Sequence, residues 1–181
     1  MSEKISIITI LHGEKEFIPL IKHNYQSFLD KSNHMNYSQE LQLVVVDDGK
    51  ESLMKDFCDL DNILYLHLDD EEKNKYNDQI IENYKQPNKS LLYYEKKMNR
   101  LPDGFLRDYG CGMCEYDHMF HMKMDCIYHP KSIERKINFM KRVGADCIFC
   151  DTCLAYDIYA KQLYKTESPS KIHESTLFHT R

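Results

Sequence analysis

Two short stretches constrain this chain more than any others. Ile5-Ser-Ile-Ile-Thr-Ile-Leu11 and Leu41-Gln-Leu-Val-Val-Val46 are almost unbroken runs of apolar, mostly β-branched residues. Successive side chains of a strand point to opposite faces, so a run without polar alternation must bury both of them. That is the situation inside a parallel sheet covered by helices on each side. The intervening sequence agrees. A polar turn, His12-Gly-Glu-Lys15, is followed by Phe17, Ile18, Ile21, Tyr25, Phe28 and Leu29 at helical spacing. Pro19 falls in the first turn of that helix, where its missing N–H removes no bond. After the second run, a short helix over about Ser52 to Cys58 leads to a third strand, Ile63-Leu-Tyr-Leu-His67. The order β-α-β-α-β predicts an open, mostly parallel α/β sheet with helices on both faces.

Beyond this point the pattern is less regular. Leu68 to Lys89 is acidic and then rich in Lys, Asn and Gln, and reads as a long surface loop with one short helix. Asp103 to Glu115 reads as a helix whose glycines allow close packing. Met119 to Met124 is a fourth strand ending at Asp125. Pro130 opens a helix through Val143, with Ile133, Ile137 and Met140 inward. Asp146 to Cys150 and Leu154 to Tyr159 read as two further strands. The tail from Lys161 carries a turn at Ser168-Pro-Ser170 and a last apolar patch, Thr176-Leu-Phe178. The 181 residues are expected to form a single domain.

Composition narrows the functions. Hydrophobic residues make up 42% and charged residues 29%, enough for a packed core and too apolar for disorder. No apolar run approaches the ~18 residues of a membrane span. A net charge of −5 is a poor footprint for binding bare nucleic acid. The N-terminus lacks the pattern of a signal peptide, so the seven cysteines are expected to be reduced thiols in a cytoplasmic setting. Cys111-x-x-Cys114 and Cys147-x-x-Cys150-x-x-Cys153, with His118, His121 and His129 between them, invite a zinc reading. Strand geometry opposes it, because residues three apart on a strand face opposite ways. The expectation is therefore buried thiols packed like small apolar residues. Tyr93-Tyr94 fits either stacking on a base or sugar or plain anchoring of a loop.

Ligands of open α/β sheets bind beyond the carboxyl ends of the strands. Asp47-Asp48 and Asp125 stand at two such ends. One carboxylate there can accept from a base or a ribose, and another can hold a Mg²⁺ or Mn²⁺ ion bridging a diphosphate. The plainer alternative is that these are acidic turn residues, since Asp-Gly is a common turn pair.

Four stretches in register resemble a known family. Ser6-Ile-Ile-Thr-Ile10, Val44-Val-Val-Asp-Asp-Gly49, Gly104-Phe-Leu-Arg-Asp-Tyr-Gly110 and His121-Met-Lys-Met-Asp-Cys-Ile-Tyr-His-Pro130 are similar to the motifs of family 2-type glycosyltransferases with the GT-A, Rossmann-like fold. The likeness covers roughly residues 5 to 150. It implies transfer of a hexose from a UDP- or GDP-sugar to a hydroxyl of a glycan, lipid or protein acceptor, by an inverting, metal-assisted reaction. By the same resemblance Asp48 reads the base with Asp47 beside it. Leu11 and His12 line the nucleotide pocket, Arg107 and Asp108 approach the diphosphate, and Asp125 binds Mn²⁺ or Mg²⁺.

Two departures stand out. The first acid of the family's Asp-x-Asp motif is Lys123 here, which repels a cation and can instead pair with the diphosphate itself. The family's general base and acceptor site lie beyond the segment that 168–181 resembles, so the acceptor half is expected to be short or absent. Asp151 and Glu174 are the nearby acids that remain as bases. A degenerate binding module of the same fold and a zinc-stabilised interaction domain are the rival readings. The Tyr, Lys and Asn content is similar to that of glycosyltransferase-like proteins of large DNA viruses, which implies a host cytoplasm as the setting.

Overall fold

The computed structural model describes residues 3–30, 39–83, 96–150, 152–157, 160–167 and 177–180. The two apolar runs form β1 (Glu3–Leu11) and β2 (Gln39–Asp47), which pair in parallel along their whole length. From Ile5 to Leu11 every residue of β1 is buried. The two polar residues inside these runs that face each other are register partners. Ser6 Oγ donates to Gln42 Oε1 at 2.8 Å, and this pair in turn accepts the main-chain N–H groups of Tyr116 and Glu115. A buried polar pair is thus satisfied and anchors the entry to the next strand.

β3 (Ile63–His67) pairs with β2, and β4 (His118–His121) pairs with the other edge of β1, both in parallel. β5 (Cys147–Ile148) and β8 (Phe178–Thr180) complete the sheet in the order β3-β2-β1-β4-β8-β5, with β8 antiparallel to both neighbours. The sheet is open, mixed and mostly parallel. Its two faces carry separate apolar layers. α1 (Ile18–Leu29) and α4 (Ser132–Val143) cover one through Ile21, Tyr25, Phe28, Ile133 and Ile137. α2 (Asp70–Asn83) and α3 (Asp103–Met113) cover the other through Tyr76, Ile80, Phe105 and Leu106. The α/β class with helices on both faces is as expected. No helix among the described residues is long and apolar enough to cross a membrane.

Four expectations need correction. The region after Leu68, read as a long loop with one short helix, holds the fourteen-residue helix α2. Its start is a capping box: Asp69 Oδ1 accepts the Glu72 N–H at 2.9 Å and Glu72 Oε2 accepts the Asp69 N–H at 3.3 Å. Asp70, Glu71 and Glu72 then lie in the first turn, where the helix dipole favours negative charge. The apolar stripe is thin because Lys73 and Asn77 are also buried, at 1% and 5% exposure.

The fourth strand ends at His121, not Met124. Beyond Met122, whose N–H still donates to the Ile8 carbonyl, the chain is drawn out of the sheet. The Lys123 N–H donates to the Tyr128 hydroxyl, and Asn24 of α1 clamps the Cys126 carbonyl and the Tyr128 N–H.

In the tail, β6 (Thr152–Asp157) pairs with a further strand, β7 (Gln162–Glu167), in a hairpin outside the main sheet. Phe178, from the last apolar patch, opens β8 of the main sheet. Finally, Cys58, Cys147 and Cys150 are exposed, and only Cys114 of the described thiols is fully buried. The Ser168-Pro-Ser170 turn and Tyr93-Tyr94 lie outside the described residues.

Candidate functional site

The strand order reverses about β1: β2 and β3 follow on one side, β4 on the other. At that switch point the carboxyl ends of neighbouring strands diverge and leave a crevice. Here it is a space of about 130 Å³ lined by His12, Glu14, Arg100, Asp103, Arg107, Lys123 and Asp125 over an apolar floor of Ile10, Met122 and Met124. The turn clamped by Asn24 and Tyr128 is what brings Lys123 and Asp125 to it.

His12 organises this crevice. Its Nδ1 lies 2.5 Å from Asp48 Oδ1 and its Nε2 lies 3.1 Å from Asp103 Oδ1, so the ring bridges two carboxylates. Burial opposes charge on the ring. The hydrogen bonds and charges of Asp103 and Asp48 outweigh that and hold its pKa up to about 9. His12 is therefore an imidazolium at neutral pH, and its hydrogen bond in turn holds the Asp103 carboxyl below its ordinary range.

A pH dependence follows. The folded-state pKa of His12 lies above the unfolded value of 6.5, so its stabilisation is complete below that value and is lost as pH rises through about 9. Thermal unfolding across this range is expected to show a falling midpoint. A His12→Gln variant is expected to be less stable, with that decline removed. A decline of equal depth in the variant would assign it to another group.

Asp47 and Asp48 lie beneath the crevice. Asp47 is fully buried, and its Oδ1 accepts the N–H groups of Gly13 at 3.0 Å and Gly49 at 2.9 Å. Its Oδ2 accepts the Tyr65 hydroxyl, and burial together with this carboxylate pushes the phenol's pKa upward. Asp48 Oδ2 accepts the Leu101 N–H at 2.5 Å, and the Asp48 carbonyl accepts Lys73 Nζ at 2.9 Å. Asp47 thus shapes the β1 turn, while Asp48 acts on the crevice through His12.

The remaining expected residues divide clearly. Arg107, Lys123 and Asp125 join His12 at the crevice. Asp108 lines an adjoining space of about 410 Å³, shared with Arg107, Cys111, His121 and His179. Leu11 is buried in the core, and its carbonyl accepts the Asp48 N–H. Asp151 and Glu174 lie outside the described residues. Arg100, Asp103 and Glu14 were not foreseen. Arg100 Nε is buried without a hydrogen-bond partner among the described residues.

The donors around Asp125 do not suit a Mn²⁺ or Mg²⁺ ion held by protein oxygens. Asp125 is exposed and Lys123 lines the same space. Asp103 and Glu14 already accept hydrogen bonds from His12. Hard cations need several convergent oxygens, and no such carboxylate group is found among the described residues.

No protein-family model matches the sequence, and no curated protein matches it. Among solved structures the chain is similar to S. aureus TarS 1-349 in complex with UDP-GlcNAc. The two are 13% identical with a TM-score of 0.49, over 83% of this chain and 34% of that one. The chain therefore spans about a third of that structure's length.

Proposed function

We propose that the chain binds a nucleoside-diphosphate sugar at the β1/β4 crevice and acts as a GT-A glycosyltransferase, moving a hexose from a UDP- or GDP-sugar to a hydroxyl acceptor. The observation that carries this reading is the gathering of Arg100, Arg107 and Lys123 at the sheet's switch point, beside the imidazolium of His12. A diphosphate presents the negative charge that such a set matches, and charge-assisted hydrogen bonds are the strongest polar contacts available to it. About 130 Å³ is too small for a whole donor. Arg107 also lines the neighbouring space of about 410 Å³, which lies within the ~300–1,000 Å³ range of small-molecule sites. In this reading cationic side chains neutralise the departing diphosphate, which is electrostatic stabilisation of developing charge.

A binding module without transfer is the second reading. It is favoured by the engagement of Asp103 with the His12 ring and of Glu14 with the His12 main-chain N–H, which leaves Asp125 as the crevice carboxylate not tied to His12. Calorimetry with UDP, GDP and their sugars, with and without manganese, tests binding. The expected result is binding that survives chelation and that Lys123→Ala weakens by about 10–100-fold, the loss of one charged hydrogen bond. Absence of binding at millimolar nucleotide, or an unchanged affinity in Lys123→Ala, would overturn the site. Release of free or transferred sugar separates enzyme from binding module.

A further inference from the structure

The second crevice holds a cluster that the nucleotide reading does not use. Cys111 of α3, His121 at the end of β4 and His179 in β8 send their ligating atoms toward one point. Cys111 Sγ lies 3.9 Å from Nε2 of each imidazole, and the two Nε2 atoms are 3.0 Å apart. The two rings meet tip to tip, with 5.1 Å between centroids and 20° between planes. His121 is 2% exposed, and the other two are half-buried.

Hydrogen bonding alone uses this arrangement poorly. Two imidazole nitrogens 3.0 Å apart can share only one proton, so one Nε2 must donate to the other while Cys111 Sγ stays 3.9 Å from both, beyond a strong hydrogen bond. A single cation, by contrast, takes both Nε2 lone pairs and the sulfur at once.

We propose that Cys111, His121 and His179 form a zinc site whose fourth coordination position opens on the crevice. Zinc bonds imidazole nitrogen at about 2.0–2.1 Å and thiolate sulfur at about 2.3 Å. A tetrahedron with those arms has edges of about 3.4 Å between nitrogens and about 3.6 Å from nitrogen to sulfur. The distances of 3.0 and 3.9 Å lie close to these, so only small side-chain adjustments seat the ion. One thiolate with two neutral imidazoles is a borderline-soft set that suits zinc and not the hard cations considered for Asp125. Binding transfers the Cys111 thiol proton to solvent, so the bound site carries one net positive charge before a fourth ligand is added. Three protein ligands with one position left to water or an exogenous ligand is the pattern of an open zinc centre. The same ion ties β8 to β4 and α3.

The full chain, stripped of metal and titrated with Zn²⁺, is expected to bind one ion per chain and to show a higher unfolding temperature when loaded. With Co²⁺ as the probe, intense four-coordinate bands and a thiolate-to-metal charge-transfer band are expected. Cys111→Ser should abolish the charge-transfer band, and Cys114→Ser should keep it. If Cys111→Ser does not fold, His179→Gln is read in its place and should abolish the four-coordinate bands. Added imidazole should shift the Co²⁺ bands by entering the fourth position. Substoichiometric binding, a charge-transfer band that persists in Cys111→Ser, or four-coordinate bands that persist in His179→Gln would overturn the site. Bands insensitive to imidazole would overturn the open position.

Discussion

His12→Ala is expected to lower the unfolding free energy by about 3–5 kcal/mol, the loss that follows when one partner of a buried ion pair is removed. The Asp48 side chain is inaccessible to solvent, and its two oxygens face His12 Nδ1 and the Leu101 N–H. Without the imidazolium, a carboxylate remains in the interior with one backbone donor. Asp103 loses its nearest cationic partner as well, although its half-exposed side chain adds little. Urea unfolding at neutral pH measures the effect. Adding Asp48→Asn to His12→Ala should recover part of the loss, because the stranded charge is then gone. A loss below about 1 kcal/mol would mean that Asp48 reaches water by another route.

Gly49→Ala is expected to destabilise by about 3 kcal/mol, at the upper end of overpacking effects. A Cβ at position 49 would stand 2.5 Å from Gly13 Cα, 2.7 Å from Gly13 N and 2.9 Å from Asp47 Oδ1. Two of these are main-chain atoms that no rotamer change can move. The β1 turn would have to lift away, and the Gly13 N–H bond to Asp47 would be lost with it. Gly13 itself has φ of +87°, a conformation that side chains resist. Because His12 precedes Gly13 directly, the substitution should also weaken the proposed nucleotide binding at a site it does not touch. Unfolding midpoints and nucleotide affinity measured on the same preparation check both parts. Stability within 0.5 kcal/mol of the parent, the usual scatter of neutral substitutions, would contradict the packing argument.

Some of this was legible in the chain and some was not, for physical reasons. β1 and β2 announced themselves because burial on both faces leaves an apolar run with little else to become, and the half-buried edge strand β3 was short and apolar enough to follow. Gly110 packs as expected, with a Cβ there falling 2.9 Å from Ile8, whereas Gly104 and Gly112 have open space around them. α2 was underestimated in length, as one short helix in a long loop, because Lys73 and Asn77 occupy its inward face and a lysine normally signals solvent. The Asp69–Glu72 capping box was the signal that could have found it. His12, Arg107, Lys123 and Asp125 were reachable through short motifs near strand ends. Arg100 and Asp103 were not, since their position depends on how the start of α3 meets the end of β1. His179 was out of reach because only the insertion of β8 brings it beside His121, 58 residues earlier.

That insertion bears on how the molecule is made. β8 has three residues, yet it occupies an interior place in the sheet and packs Phe178 against Phe120. Until residues 178–180 leave the ribosome, β4 presents an unsatisfied rim of amide groups beside bare aromatic surface. A nascent chain in that condition is a natural client for chaperones, and its release awaits a latch of three residues.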